Sequence, residues 1–378
     1  MSSLPGPPLP WYATPLARGW VCPAPSQAAA AFHALLSDYS PTPLIDVPSL
    51  ATELAVGRLL VKDESSRLGL PSFKALGASW AVHQLLASGA GEAAQPWPHD
   101  LPALRRLAAA RPGLVLVTAT DGNHGRAVAR MARLVGAGAR VYVPAAVTGQ
   151  VAAAIATEGA EVVTVPGGYD EAVAASARWV RGQAGAALLQ DTAWPGYQQV
   201  PGWIAEGYAT LFAELDGQLP GAGPPDLVVV PVGVGSLAQA AVAHYRGSGH
   251  GAGTALLAVE PDTAACALAS LRAGRPVTVR TGHTIMAGLN CGTVSALAWP
   301  CLASGLDAAV AVTDQQARQA MAELAAAGIS AGPSGAASLA GARAAVTGPG
   351  SAERRAGLAL GAAATVVLLS TEAAPAAG

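Results

Sequence analysis

The sequence predicts an α/β protein in which parallel sheets carry helices on both faces. Three observations lead there. Short β-branched runs alternate with alanine-rich stretches from residue 59 to residue 369, the pattern of strand–helix–strand units rather than of hairpins. The chain has 378 residues, long enough for two domains sharing a cleft. Aromatic residues make up only 5% while 44 residues are glycine, a composition suited to helices packed closely on a sheet.

The elements follow in order. The first forty residues are rich in proline and are expected to be irregular. Leu59–Lys62 opens the strands, and the alanine-bearing stretch Phe73–Leu86 is the first long helix. Leu114–Thr118 alternates leucine and valine and precedes the helix His124–Val135. Arg140–Val143 and Glu161–Val165 are valine-rich strands separated by the helix Thr148–Thr157, and Glu171–Arg181 follows as a helix. Gly202–Leu215 is helical and leads to the most apolar strand, Leu227–Pro231. Leu237–Tyr245 (helix), Ala255–Glu260 (strand), Ala309–Val312 (strand), Asp314–Ala327 (helix), Gly335–Ala345 (helix) and Thr365–Leu369 (strand) complete the series. Ala87–Asp100 and Gly217–Pro225 are glycine-, alanine- and proline-rich and are expected to be insertions or linkers, and Ala373–Gly378 a loose tail. There is no internal repeat.

The formal net charge is −2 and no basic run occurs, which argues against a nucleic acid or an anionic membrane surface as partner. No window of about 18 apolar residues and no basic-then-apolar start is present, so a soluble, cytoplasmic protein is expected. Cys22, Cys266, Cys291 and Cys301 lack metal-ligand spacing. Free buried thiols are the default, with a Cys266–Cys291 pairing left open. The seven histidines give no metal spacing, and no metal is expected.

The chain has two lysines, Lys62 and Lys74, against twenty arginines. A guanidinium cannot give up its proton, whereas an amine can be tuned by burial and neighbours. A lysine in such a chain is therefore a candidate for chemistry that needs a free amine, above all a Schiff base. Lys74 sits in Pro71-Ser72-Phe73-Lys74-Ala75-Leu76-Gly77 at a helix start; the plain alternative is that it merely opens that helix. Lys62, beside Asp63 and Glu64, reads better as part of a structural ion pair.

Four further stretches fall at strand ends or helix starts, where ligands of open α/β sheets gather. Pro231-Val232-Gly233-Val234-Gly235-Ser236-Leu237 follows a strand and opens a helix, so its backbone N–H groups suit a phosphate. It lacks a third glycine and a following lysine, which favours a small phosphorylated cofactor over a nucleotide; a tight turn is the alternative. Thr120-Asp121-Gly122-Asn123-His124-Gly125-Arg126 lets backbone approach a planar ligand with the Asn123 amide directed at it, or is a turn with a helix N-cap. Gln190-Asp191-Thr192 ends a strand, and Asp191 alone reads as a cap. Leu369-Ser370-Thr371-Glu372 ends the last strand.

Together these motifs resemble the tryptophan-synthase-like, or fold type II, family of pyridoxal-phosphate enzymes. Within it the runs Thr120–Arg126, Gln190–Tyr197, Tyr208-Ala209-Thr210-Leu211 and Thr284–Gly292 most resemble the diaminopropionate ammonia-lyases, and the resemblance spans about Val61 to Thr371. It implies two open, mostly parallel twisted sheets, with 1–80 and 195–378 forming a large cofactor-binding domain and 81–194 a small domain closing over the active-site cleft. It also implies a homodimer.

By the same resemblance Lys74 carries pyridoxal 5'-phosphate and shuttles protons, while Phe73 and Asn123 flank the ring. Gly233, Val234, Gly235, Ser236 and Leu237 would cup the phosphate. Thr371, or else Ser370, would meet the pyridine nitrogen. The expected reaction is α,β-elimination of 2,3-diaminopropionate, through an aminoacrylate, to pyruvate and two ammonia. Asp121 and Asp191 would bind the second ammonium or act as general bases, and His124 would be a ring-side neighbour of structural value. Relatives that dehydrate serine or threonine commonly carry a small residue where this chain has Asp121, and that dehydratase reaction is the alternative. The chain departs from the family in Gly332-Pro333-Ser334-Gly335, where a Gly-Glu-Ser-Gly loop is the family pattern.

Overall fold

The computed structural model describes residues 10–88, 99–219, 223–247 and 253–375. Of the stretches read as insertion, linker or tail, 89–98, 220–222 and 376–378 lie outside the described residues. The strands are β1 (Trp11–Ala13), β2 (Leu44–Asp46), β3 (Arg58–Asp63), β4 (Val115–Ala119), β5 (Gly138–Pro144), β6 (Glu161–Val165), β7 (Ala186–Leu188), β8 (Leu227–Pro231), β9 (Ala255–Pro261), β10 (Ala308–Val312) and β11 (Thr365–Ser370). All eight expected strands are present, each within two residues of its expected ends. The three that the sequence did not announce, β1, β2 and β7, have three residues each, too few to show a period. Asp100, read as the end of a linker, is instead the N-cap of the helix Leu101–Ala109 and accepts the Ala103 N–H.

The strands form two sheets. One has seven strands in the order β1-β10-β9-β8-β11-β3-β2. Its interior pairs are parallel, and β1 and β2 pair antiparallel at the two edges. The other has four parallel strands in the order β6-β5-β4-β7. Each sheet has one place where the chain, having built in one direction, returns to build in the other. In the larger sheet it lies between β8 and β11, and in the smaller between β4 and β7. Loops leaving the carboxyl ends of two such neighbouring strands diverge and leave a crevice for a ligand. The β8 and β11 ends carry Gly233–Leu237 and Ser370-Thr371. The β4 and β7 ends carry Asp121–Asn123 and Gln190-Asp191.

By internal contacts the chain divides into two compact units. The first comprises Met1–Ala24, Thr42–Ser65 and Leu215–Gly378, and the second Pro25–Pro41 and Ser66–Glu214. The second is wider than the expected 81–194, so Lys74 falls in it rather than in the unit of the larger sheet. The reason is helix packing. A Cβ on Gly207 would lie 2.6 Å from the Leu76 carbonyl oxygen and 2.9 Å from the Gly77 Cα, and one on Gly77 would lie 2.6 Å from Tyr208. Glycine at both positions lets the helices Lys74–Ala87 and Gln199–Gln218 meet almost backbone to backbone, which carries residues 66–80 and 195–214 into the same unit.

In the first unit the core is built from Leu59 and Val61 of β3, Val229 of β8, Leu257 and Val259 of β9 and Leu368 of β11, packed against Leu339 and Ala342 of the helix Pro333–Val346. That helix lies close on the sheet because Gly341 has no side chain, a Cβ there falling 2.2 Å from a Val259 methyl. No helix among the described residues is long and apolar enough to cross a membrane.

Candidate active site

In the second unit, the sequence between β4 and the helix Asn123–Val135 frees a carboxylate rather than using it as a cap. The Thr120 hydroxyl accepts the N–H groups of Gly122 at 2.9 Å and Gly125 at 3.1 Å, which does the capping. Gly122 takes φ +156°, outside the range of ordinary side chains. Gly125 brings the helix onto the strand, since a Cβ there would fall 2.3 Å from the Thr120 methyl. Asp121 is thus left half-buried at the carboxyl end of β4.

Asp191 follows β7 and is 6% exposed. It accepts from the Lys74 ammonium at 2.6 Å, from the Tyr169 hydroxyl at 3.2 Å and from the Gln190 amide at 3.2 Å. Gln190 latches β4 to this turn by accepting the Ala119 N–H at 2.9 Å and the Thr118 hydroxyl at 3.2 Å. Its own N–H is held by the Tyr197 hydroxyl, which donates to the Leu188 carbonyl. Asp191 is therefore neither a cap nor a turn residue but the counter-ion of the candidate nucleophile. Lys74 opens the helix Lys74–Ala87, with its nitrogen 5.5 Å from the centre of the Phe73 ring.

The two acids are held in opposite protonation regimes. Burial alone would raise the Asp191 carboxyl, but the Lys74 ammonium, His124 and the hydrogen bonds from Lys74 and Tyr169 outweigh it and keep it well below the usual carboxylate range. Asp121 is pushed up to about 6, first by burial and then by the charge of Asp191, against the pull of Lys74. One carboxyl fixed as an anion beside another that titrates near neutrality is how environment divides labour between two acids. His124 is buried at 4% exposure. Burial lowers its pKa, and its Nε2 bonds the Leu189 carbonyl at 2.7 Å, steadying the chain two residues before Asp191.

In the first unit, β8 runs into a turn built on Gly233 and Gly235 before the helix Ser236–Tyr245. Gly235 adopts φ +101° and, as N-cap, has no side chain to spend on the first-turn N–H groups. A Cβ on Gly233 would lie 2.9 Å from the Gly288 carbonyl oxygen and 3.1 Å from Cys291 Sγ. The Val234 carbonyl is fixed by the Ser295 N–H at 2.8 Å. The turn is thus a rigid backbone concavity at the positive end of a helix, suited to a phosphate. At the neighbouring β11 end, Ser370 is fully buried and its Oγ has no hydrogen-bond partner, while Thr371 is 4% exposed.

The sequence reading missed several parts. Tyr169, Gln190 and Tyr197 carry the Asp191 turn, and only Gln190 and Tyr197 lay in a run already singled out. Pro333 occupies the first position of the helix Pro333–Val346, where proline costs nothing. A carboxylate stands beside that loop all the same: Glu372 accepts the Ser334 N–H at 3.1 Å. Lys62, fully buried, donates to the Thr42 carbonyl and the Gln218 amide, both at 2.8 Å. The four cysteines are free; Cys266 is buried and the other three are partly exposed, a correction to the expectation of buried thiols. Among the described residues no group of three His, Cys, Asp or Glu side chains is placed to hold a metal ion.

Comparison with known proteins matches residues 35–371 to the profile of the pyridoxal-phosphate dependent enzyme family. The chain is 36% identical over 304 residues to a diaminopropionate ammonia-lyase of Salmonella typhimurium, covering 77% of this chain and 73% of that one. It is similar in structure to the diaminopropionate ammonia-lyase of Escherichia coli in complex with D-serine, with a TM-score of 0.87 at 32% identity over 96% of this chain and 93% of that one. The same Escherichia coli enzyme in complex with an aminoacrylate-PLP azomethine reaction intermediate superposes with a TM-score of 0.85, at the same identity and coverage.

Proposed function

We propose that this chain, which belongs to the pyridoxal-phosphate-dependent enzyme family and within it to the diaminopropionate ammonia-lyases, eliminates ammonia from 2,3-diaminopropionate to give pyruvate and two ammonia. The observation that carries the reading is the Lys74–Asp191 pair at 2.6 Å with Asp121 titrating beside it. The residues fit the cofactor. The amine for its aldehyde would be Lys74, and Phe73 and Asn123 would flank its ring. Gly233, Val234, Gly235, Ser236 and Leu237 would hold its phosphate, in a turn packed so closely on the Gly288 carbonyl that a Cβ on Gly233 has no room. Thr371 or Ser370 would meet the ring nitrogen, and the unspent Ser370 hydroxyl has the capacity for it.

When bound, the cofactor supplies the electron sink that acidifies the substrate Cα–H and lets the β-amine depart. The protein's part is to place charge and protons. The Lys74 amine takes the Cα proton of the L-isomer. Asp121 takes that of the D-isomer from the other side, in keeping with a relative that binds D-serine. Asp191, held as an anion, receives the second ammonium, and the proton that ammonium carries leaves with the departing ammonia. A substrate with a hydroxyl in place of that ammonium would bring no positive charge to the Asp191 anion, which disfavours the dehydratase alternative.

Purified, cofactor-loaded protein given L- and D-2,3-diaminopropionate should release two ammonia per pyruvate, with little from L-serine or L-threonine. Turnover of serine or threonine alone would overturn the substrate. Gly233→Ala should weaken pyridoxal-phosphate binding about tenfold or more, read as a Kd by absorbance titration, because its Cβ must displace the Gly288 backbone. Unchanged affinity would count against the cup. We also take the enzyme to work in the cytoplasm, as the sequence reading expects, and as a homodimer, as the resemblance implies; light scattering at twice the chain mass is the expected result.

A further inference from the structure

The Tyr208 hydroxyl is a buried polar group that the scheme above does not use. Tyr208 is fully buried in the helix Gln199–Gln218; its hydroxyl has no hydrogen bond of ordinary geometry, and the Lys74 amine stands near enough to act on it. Removing a hydroxyl from water without replacing its partners is costly, so such a group inside a working site calls for a role. Its position is specific. The phenol packs against Phe73, with ring centres 4.7 Å apart. Its Cζ lies 2.8 Å from where a Cβ of Gly77 would stand. Residues 73 and 77 bracket Lys74, and Lys74 and Gly77, three apart, share a helix face. The absence of side chains at Gly77 and Gly207 is what lets the phenol enter beside the lysine.

We propose that Tyr208 is a positioning residue for Lys74, its hydroxyl oxygen accepting one N–H of the lysine nitrogen whenever that nitrogen is released to carry the substrate's proton. The inference rests on the reading of Lys74 as the proton-carrying amine. A lysine ammonium has three donors. Asp191 takes one at 2.6 Å, and Tyr208 fixes a second. Burial pushes the phenol up to about 12, against the pull of Lys74 and with the charge of Asp191 adding to the rise. The hydroxyl therefore stays neutral in the working range and acts by orientation and hydrogen bonding, not by giving up its own proton.

Tyr208→Phe keeps the ring packing and removes only the hydroxyl. Because the ring packing is kept and at most one hydrogen bond, to Lys74, is lost, Tm should fall by no more than a few degrees. The chain's two lysines make a direct reading possible. In full-length protein labelled with ¹³C-lysine and stripped of cofactor, only Lys62 and Lys74 give ε-carbon signals. In Tyr208→Phe the Lys74 titration midpoint should fall by about one pH unit, the size expected on losing a hydrogen bond to a charged group, while Lys62 stays put. In the loaded enzyme kcat should drop about tenfold with KM nearly unchanged. An unmoved Lys74 midpoint overturns the proposal even if activity falls, since Tyr208 would then act through packing alone. Failure of the substrate reading would show in the wild type's ammonia release and leave the lysine titration intact, so the two are separable.

Discussion

Lys74→Ala is expected to abolish the visible absorbance of the cofactor-loaded protein and to lower turnover of both diaminopropionate isomers by about 10³-fold or more. General base catalysis alone contributes about 10²–10⁴-fold, and Lys74 is also the covalent anchor. No other amine can stand in: the chain's second lysine, Lys62, is fully buried at the end of β3 and committed to Thr42 and Gln218. The substitution also removes the partner of an 8%-exposed carboxylate, and breaking a buried pair by deleting one member can cost about 3–5 kcal/mol. Here the loss is limited, because the Asp191 carboxyl is depressed mainly by Lys74 and can take up a proton once that charge is gone. The sign follows: a depressed carboxyl stabilises the fold above its unfolded pKa, and that stabilisation is lost as pH falls. The variant should therefore lose stability relative to wild type both at pH 8 and at pH 4, the difference closing only as pH falls through the depressed folded pKa of Asp191. Absorbance and pyruvate release measured on the same folded sample decide the matter. Retained turnover would remove Lys74 from the scheme.

Much of this architecture was legible because its signals are local. Strands such as Leu227–Pro231 are unbroken apolar runs, and glycines at Gly233 and Gly235 announce a sharp turn before a helix. What stayed hidden depends on residues distant in sequence. Asp191 read as a possible cap until Lys74, 117 positions away, proved to be its partner. Asp121 read as a possible N-cap, and only the backbone course shows Thr120 taking that duty. The membership of Lys74 in the smaller sheet's unit depends on Gly77 meeting Gly207, a pairing that no single stretch of sequence displays. Pro333 read as a lost carboxylate, yet Glu372, nearly forty positions on, brings one back to that loop.

Asp121→Asn should lower turnover of the D-isomer by about 10²–10⁴-fold, the range for loss of a general base, and should affect the L-isomer much less. The argument rests on Asp121 being half-buried near the Asp191 anion, so that its carboxyl rises to about 6. As a base it must be ionised, so kcat/KM for the D-isomer should fall tenfold per unit below about pH 6 in the wild-type enzyme. The L-isomer, served by Lys74, should lack that limb, and Asp121→Asn should erase it for the D-isomer. Stability runs the other way. A carboxyl whose folded pKa exceeds its unfolded value favours the fold when protonated, and that contribution is lost as pH rises through about 6. The neutral asparagine should thus hold or raise Tm at pH 7.5, which separates a catalytic loss from a folding loss. Cofactor affinity should be unchanged, because Thr120 and not Asp121 caps the helix that carries Asn123. Equal losses on the two isomers, with the acid limb still present in the variant, would place the second base elsewhere.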